Sequence, residues 1–376
     1  MRDFSEVRIP GLTRGVQRLE KHPRLYPPCL GLDALFELLR AGRSWERYPI
    51  TARHRRAKAL WNVLSEQGSS VGVVNWYPSW PAEPVEGFLI SDRANPYRNE
   101  FQLSKGLAND RLRALGHPPE LLAELAPLHV DPNAITREEL AGFARLSEEE
   151  IEAFYALDRI DQDDILSVFK FIYAADRFAA AAGLHLRAER GTDFLAVYLS
   201  GVDNTSHRFL LFAEPLETRP VDPADVRRYG NLVPRYYEFV DEVVGRYAAA
   251  LGEDTVLILV SDHGFARYDW NWNHEAAEEG VILVAGKGVR RGARLEGATI
   301  FDVAPTVLHL MGLPASREMP GRLLAGALEP ELLGSGPAAA IESYGPHRFQ
   351  VSFEPLDEAD AVDGELELLD ALGYTR

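Results

Sequence analysis

Cysteine is almost absent from this sequence, since Cys29 is the only cysteine among 376 residues. A single cysteine excludes an intrachain disulfide and a cluster of thiolates around a metal ion. If the protein binds a metal ion, its ligands must come from histidine, aspartate and glutamate side chains.

Long apolar runs are also missing. No stretch approaches the roughly 18 residues that a membrane-spanning helix needs, and residues 1–24 contain no apolar segment of the secretory signal type. We therefore expect no membrane segment in this chain and, as written, a cytoplasmic location. A signal or anchor upstream of Met1 would change that expectation.

Positive charge is scarce: 40 lysines and arginines stand against 57 acidic residues, which gives a formal net charge of −17. The overall field of such a protein repels phosphate backbones, so no nucleic-acid polymer is expected as a partner. A small phosphorylated molecule is not excluded, because one local cationic or metal site would be enough to bind it. The 46% hydrophobic and 26% charged residues are typical of a folded globular protein.

The pattern along the chain divides it into three parts. Residues 1–56 form an irregular N-terminal segment with one short helical patch at 32–40. Residues 57–335 form the main domain, and residues 336–376 form an extension that ends in a short helix, GELELLDALGY.

Strands and helices alternate through the main domain. The strands are SVGVVNW, FLISD, DFLAVYL, TVLILV and GVILVAG. The helices are ALWNVLSEQ, stopped by Gly68, a long helix that starts at Asp222-Pro223, and FDVAPTVLHLMG. This order predicts an α/β fold with a mostly parallel sheet and helices on both faces.

A helical insertion interrupts this alternation at residues 97–190. It is acidic and contains two capping boxes, which start helices at Thr136 and Ser147. A longer helix, ILSVFKFIYAADRFAAAAG, is expected to end at Gly183. Because the insertion has no clustered ligand residues, we expect it to be a cap or a wall.

Polar side chains follow two of the strongest strands. Asp203 and His207 come just past DFLAVYL, and Asp262 and His263 come just past TVLILV. His274 lies just before GVILVAG. Because ligands of open parallel sheets bind beyond the carboxyl ends of the strands, these five residues are expected to converge at one edge.

Each of these motifs also has a plain explanation on its own. An Asp-His-Gly sequence after a strand is consistent with a turn, and Asp203 and His207 form a spacing that often occurs by chance. His274, between Trp270 and Trp272, is consistent with a packed surface histidine. Together they favour a metal site, and His and Asp ligands without cysteine suit zinc or manganese.

The combined motifs resemble the alkaline phosphatase superfamily, and within it the bacterial type I phosphodiesterase/nucleotide pyrophosphatase group. The resemblance covers roughly residues 57–325 and the C-terminal ALGY helix. It rests on these segments: KALWNVLSEQGSSVGVVNWYPSWPAEPVEGFLISDR, GVDNTSH, VSDHGF, the His274 segment with GVILVAGKGVRRG, and DVAPTVLHLMGLPASREMPGRLL. It implies two divalent metal ions, usually zinc. By position, Asp203, His207 and His274 would bind one ion, and Asp262 with His263 part of the other.

The resemblance implies a metal-dependent hydrolase of small phosphoric esters, either phosphodiesters or pyrophosphates. It also implies a nucleophilic Thr or Ser and one further metal-binding Asp, and neither is found. The upstream candidates Thr13, Asp33 and Thr51 do not follow an apolar strand, so the nucleophile segment is expected to lie outside this chain. The chain as written is then expected to show no more than a trace of activity.

Two other interpretations remain open at this stage. A non-catalytic relative would bind metal or a phosphorylated ligand without turnover. Asp203, His207 and His274 alone also match the ligand set of non-haem iron oxygenases, but that class leaves Asp262 and His263 unexplained and expects a β-barrel. If His274 lay elsewhere, the substitute candidate would be His347.

Overall fold

The computed structural model describes residues 5–8, 46–49, 51–94, 115–157, 164–268, 271–274, 277, 279–337 and 339–350. Several features of the sequence lie outside these residues. They are Thr13, Asp33, the helical patch at 32–40, Trp270 and the C-terminal helix at 364–374.

The central sheet has four strands, in the spatial order Gly116–His117, Gly87–Ser91, Val71–Trp76 and Phe194–Val197. Strands β3 (Val71–Trp76), β4 (Gly87–Ser91) and β6 (Phe194–Val197) are parallel, and the two-residue β5 (Gly116–His117) lies antiparallel at one edge. The α/β fold with a mostly parallel sheet is therefore confirmed.

Helices cover both faces of this sheet, as the sequence predicts. On one face, Val74, Phe88 and Ile90 pack against Phe178 and Leu186 of a long helix. The other face packs against different helices, through these residues: Val71, Val73 and Leu89 of the sheet, Trp61 and Leu64 of the first helix, and Val307 and Leu308 of the helix Val303–Leu310. Two covered faces explain why β3 and β4 are continuous apolar runs.

The remaining strands form smaller antiparallel pairs. Strand β7 (Val256–Val260) pairs with β10 (Ile282–Gly286), and β8 (Ala266–Tyr268) pairs with β9 (Asn271–Asn273). A pair of short strands, β1 (Ser5–Arg8) and β2 (Glu46–Pro49), lies in the N-terminal segment that was expected to be irregular.

Ten α-helices occur in the described residues. They are α1 (Leu60–Glu66), α2 (Leu121–Leu125), α3 (Arg137–Phe143), α4 (Glu148–Ala156), α5 (Ile165–Arg190), α6 (Gly201–Ala213), α7 (Pro223–Tyr229), α8 (Leu232–Ala250), α9 (Val303–Leu310) and α10 (Pro330–Ser335). Short 3-10 helices lie at Ala52–His54, Ala126–Leu128, Pro132–Ala134, Ile300–Asp302 and Ala325–Ala327. No helix of the described part of the chain is both long enough and apolar enough to cross a membrane.

The predicted helix starts are found in the structure. The hydroxyl of Thr136 accepts a hydrogen bond from the Glu139 amide at the start of α3, and Ser147 does the same for Glu150 at the start of α4. Asp222 caps α7, with Pro223 in its first turn. Local side-chain chemistry is enough to specify these positions.

Two helix ends differ from the prediction. Helix α5 does not end at Gly183 but continues to Arg190. A Cβ at Gly183 would overlap the hydroxyl of Tyr247 on α8, so this glycine permits close helix packing. The helix expected to run on from Pro223 is divided into α7 and α8 at Gly230.

The insertion packs tightly against the rest of the domain. Helices α3, α4 and α5 share one apolar cluster with α6 and α8. Aromatic rings dominate its centre, including Phe143, Phe169, Tyr173, Tyr236 and Phe239, whose centroids lie 4.8–6.4 Å apart. Helices α6 and α8 therefore rest on the helices of the insertion.

Candidate functional site

Helix α6 begins four residues after β6 ends, and it presents Asp203 and His207 one turn apart. Residues at this spacing lie on the same face of a helix. The Nε2 atom of His207 is 3.5 Å from Oδ1 of Asp203, and both side chains are less than one-fifth exposed. The two predicted ligands therefore form a half-buried pair beyond the carboxyl end of the sheet.

The end of β7 brings His263 to the same place. Its Nε2 atom is 3.8 Å from Oδ1 of Asp203 and 3.6 Å from Oδ1 of Asp262. The His263 side chain is 14% exposed, whereas the Asp262 side chain is 64% exposed. His263 thus contacts one acid from each of the two predicted metal sites and bridges them.

The tautomer of His263 suits a metal ligand. Its Nδ1 atom lies 3.1 Å from the carbonyl oxygen of Gly264. A carbonyl oxygen only accepts hydrogen bonds, so in this pair Nδ1 carries the proton and donates it. In the neutral ring, Nε2 then keeps its lone pair and directs it towards the carboxylates.

His274 completes the group. Its ring centroid is 5.0 Å from that of His207 and 4.7 Å from that of His263. Burial, followed by the charges of His207 and His263, lowers the pKa of His274 to about 4. Its imidazole is therefore neutral at neutral pH, which is the form that binds metals.

Phe265 supplies an apolar side to this group. Its ring centroid lies 5.0 Å from His207, 6.0 Å from His263 and 6.2 Å from His274. We call Asp203, His207, His263 and His274 the histidine cluster. The ring of Phe265 limits the positions that the three imidazoles can take.

The ligand types in the histidine cluster fit a divalent ion, but the ligand geometry is incomplete. Two ligands of one tetrahedral zinc ion are about 3.3–3.6 Å apart, given zinc–ligand distances near 2.0–2.2 Å. The separation of Asp203 from His207 matches this range. Among the described residues, however, no three His, Cys, Asp or Glu side chains are already arranged to hold one ion.

Asn75 is a further polar residue at this edge that the sequence did not reveal. It lies in the left-handed region, with φ of 59°, where the pairing of β3 with β4 shifts register. Its Nδ2 atom donates to the carbonyl oxygen of Tyr198 at 3.0 Å. Such a backbone conformation is uncommon outside glycine and is concentrated at functional sites. The available signal was a polar residue ending a third apolar strand.

Aromatic rings line the same edge. Trp76 lies between Trp61 and Tyr198, with centroid distances of 6.3 Å and 5.9 Å. Trp80 and Trp272 have structural partners instead. Trp80 packs under the guanidinium of Arg93, and the indole of Trp272 donates to the carbonyl of Glu214.

The remaining candidates lie in other environments. His347 is buried beside Glu83, with 3.3 Å between Nε2 and Oε1, and is not needed as a substitute for His274. His309 lies 3.0 Å from the carbonyl oxygen of Leu332, in agreement with a structural role. The hydroxyl of Thr51 lies 3.1 Å from Nδ1 of His54 at the start of a 3-10 helix.

The DVAPT segment holds the chain around α9. Asp302 is 3% exposed and accepts hydrogen bonds from the amides of Thr299 and Arg322. The hydroxyl of Thr306 donates to the carbonyl of Asp302 and accepts from the amide of Leu324. These hydrogen bonds hold a loop in place, and none of them involves a residue of the histidine cluster.

A mostly parallel α/β sheet, with Asp and His side chains gathered beyond the ends of β6 and β7, is consistent with an alkaline phosphatase-like fold. The family model for type I phosphodiesterase / nucleotide pyrophosphatase matches residues 37–305, and the chain belongs to this family. Family membership supports phosphoryl-transfer chemistry for this fold. No solved structure is significantly similar to the chain.

Curated relatives come from the same superfamily. A 2,3-bisphosphoglycerate-independent phosphoglycerate mutase of Gloeobacter violaceus is 32% identical over 108 residues, which is 25% of this chain and 20% of the relative. The mutase of Roseobacter denitrificans is 36% identical over 92 residues, covering 23% and 18%. The mutase of Synechococcus sp. strain JA-3-3Ab is 34% identical over 132 residues, covering 31% and 25%. The chain thus spans a quarter or less of these relatives' length.

Proposed function

We propose that the histidine cluster, together with Asp262, is a two-metal site for hydrolysis of small phosphoric esters. The convergence of Asp203, His207, His263 and His274 from two strand ends carries this proposal. Zinc is the preferred ion and manganese is the alternative, because the ligands are imidazoles and carboxylates without thiolates.

Each residue has a definite task in this proposal. Asp203 and His207 would hold one ion with His274, while Asp262 and His263 would contribute to the second. The ions would supply charge stabilisation for the phosphoryl group and for its attacking and leaving oxygens. His263 contacts both Asp203 and Asp262, so it would fix the separation between the two proposed metal-binding sites.

The substrate would enter over the exposed side of Asp262. Trp76 and Tyr198 present aromatic rings at the same edge, and such rings can stack on a planar leaving group. Phosphodiesters and pyrophosphates are the proposed substrate class, because the chain belongs to the type I phosphodiesterase / nucleotide pyrophosphatase family.

A second candidate is a protein that binds metal or a phosphorylated ligand without turnover. It is favoured by the state of Thr51, the one upstream nucleophile candidate that the structure describes. Thr51 is 6% exposed, and its hydroxyl lies 3.1 Å from Nδ1 of His54 at a helix start. Its burial argues against an accessible nucleophile at this position.

One set of assays separates the candidates. The purified chain is incubated with zinc or manganese and tested on an aryl phosphodiester, an aryl pyrophosphate and 3-phosphoglycerate, beside His207→Ala and Asp262→Ala. Turnover by the parent chain that both variants lose, even at a low rate, supports the hydrolase. Metal binding without turnover supports the second candidate, and the absence of both overturns the proposal.

A further inference from the structure

The N-terminus of α6, the helix that carries Asp203 and His207, rests on a carboxylate from the insertion. Asp176 lies in the middle of α5 and is fully buried. Its Oδ1 atom accepts a hydrogen bond from the amide of Ser200 at 3.1 Å, and Oδ2 accepts one from the amide of Gly201 at 2.8 Å. These amides belong to the unsatisfied donors at the start of every helix.

A tyrosine from a third helix completes the arrangement. The hydroxyl of Tyr236 on α8 donates to Oδ2 of Asp176 at 2.9 Å, and its side chain is also fully buried. Burial raises the pKa of Asp176 to about 6, although all three donors oppose the rise. We call Asp176, Tyr236, Ser200 and Gly201 the α6 anchor.

Gly201 is part of the α6 anchor because it has no side chain. A Cβ at this position would overlap the hydroxyl of Tyr236 and would lie 2.6 Å from Oδ2 of Asp176. The glycine in GVDNTSH is therefore required by the close approach of Asp176 and Tyr236. Three residues far apart in sequence are mutually adapted at the first turn of α6.

The position of this turn matters for the histidine cluster. Asp203 follows Gly201 by two residues on α6. Its carboxylate must reach His263, which follows strand β7. A small rotation of the first turn would move Asp203 relative to His263, while His263 stays in place. Sites of this kind need their groups held to within about 0.5 Å.

We propose that Asp176 is a positioning residue for the candidate metal site: it fixes the first turn of α6 and, through it, the carboxylate of Asp203. This inference rests on the proposed function, since it assigns Asp176 to the support of metal-binding residues. It gives the insertion a task beyond that of a cap or wall.

The test compares substitutions in the α6 anchor with a matched substitution elsewhere. Asp176→Asn replaces one acceptor oxygen by an amide that cannot accept, and Tyr236→Phe removes one donor. The control is Tyr247→Phe, because the Tyr247 hydroxyl donates to the carbonyl of Ala180 at 3.0 Å. That bond joins the same two helices, α8 and α5, and involves no residue of α6.

The first readout is the affinity for zinc or manganese alone, measured by titration calorimetry. Outer-shell partners of metal ligands change affinity by about 10–100-fold, and Asp176 acts one step further away. We therefore expect about three- to tenfold weaker binding for Asp176→Asn and Tyr236→Phe. Tyr247→Phe should bind as the parent protein does, even if its melting temperature falls by the same amount.

The second readout needs no metal. The imidazole resonances of His207 and His263 are followed by NMR in metal-free protein labelled at histidine. We expect them to shift in both α6 anchor variants and to stay unchanged in Tyr247→Phe. Gly201→Ala should reproduce the shift, because its Cβ displaces Tyr236.

The outcomes separate this inference from the proposed function. Unchanged metal affinity and unchanged histidine resonances in both α6 anchor variants would reduce Asp176 to a stabilising residue and overturn the inference. If the parent protein binds no metal, the proposed function fails, and the histidine resonances alone decide the role of Asp176. If Asp176→Asn does not fold, Tyr236→Phe gives the same decision.

Discussion

The imidazole of His263 lies 3.8 Å from the carboxylate of Asp203, although His263 follows β7 and Asp203 is carried by α6. Strands β6 and β7 belong to different sheets among the described residues. The histidine cluster is therefore assembled by tertiary packing. The contribution of each member to metal binding can be tested by a single substitution.

Substitution of a cluster histidine should remove metal binding. Zinc-supplemented expression and elemental analysis are expected to give closer to one zinc than two per chain, because the Asp262 site lacks the further Asp that the family resemblance implies. His207→Ala should weaken binding by at least about tenfold, because it would remove a proposed ligand and even outer-shell partners of ligands change affinity by about 10–100-fold. His309→Ala is the control, because His309 contacts the carbonyl of Leu332 on another part of the fold.

Two results would contradict this prediction. Parent protein without any metal would leave Asp262 and His263 as a simple turn after β7. Equal loss of metal in the His207 and His309 variants would point to general unfolding.

The buried Asp176 should make stability depend on pH in an unusual direction. Its pKa is raised to about 6 by burial, from 3.8 in the unfolded chain. Between pH 4 and pH 6 the folded protein thus holds a proton that the unfolded chain has released, so this group's contribution to stability falls as pH rises. Below about pH 4 both states are protonated, and above about pH 6 both are ionised.

Urea unfolding of the parent protein and Asp176→Asn at pH 4, 5, 6 and 7 measures this contribution. The stability difference between the two proteins should change between pH 4 and 6 and become constant above that range. A difference that stays constant from pH 4 to 7 would show that Asp176 does not titrate in this window.

A buried ion pair near the first helix should be sensitive to truncation. Arg55 donates to Glu83, which is 3% exposed, and also to Asn62 at 2.9 Å. Burial lowers the pKa of Arg55 to about 10, so it remains charged at neutral pH. Glu83→Ala would leave this cation buried without its carboxylate and should cost about 3–5 kcal/mol in unfolding free energy.

The matched control is an exposed pair. Asp254 and Lys287 are 83% and 69% exposed, and solvent screens their interaction. Asp254→Ala should therefore leave the unfolding midpoint almost unchanged. If the two variants lose equal stability, the buried pair is not special and the assigned role of Glu83 is wrong.

Much of the fold follows from local patterns. The apolar runs of β3, β4 and β7 and the caps at Thr136 and Ser147 depend on nearby residues alone. The antiparallel pairing of β10 with β7 does not, because an apolar run has the same appearance in both orientations. The end of α5 was misplaced for a similar reason: only the contact with Tyr247 distinguishes Gly183 from a helix-ending glycine.

The candidate site also combines features that local sequence predicts with features that only tertiary packing determines. Its four cluster residues were predicted to converge because polar side chains followed separate apolar strands. Asn75 was missed because one polar residue after a strand is also typical of an ordinary turn. Asp176 was missed because its partners, Gly201 and Tyr236, are brought to it only by the packing of three helices.

The 26-residue length of α5 restricts how sequences of this kind can vary in length. Deleting one residue directly after Asp176 would rotate the rest of the helix by about 100° relative to Asp176. Ala179, Ala182 and Leu186 would then turn away from the sheet that they cover. Length changes should therefore be tolerated in the connections before α5, whereas the path from Asp176 to β6 should keep a fixed number of residues.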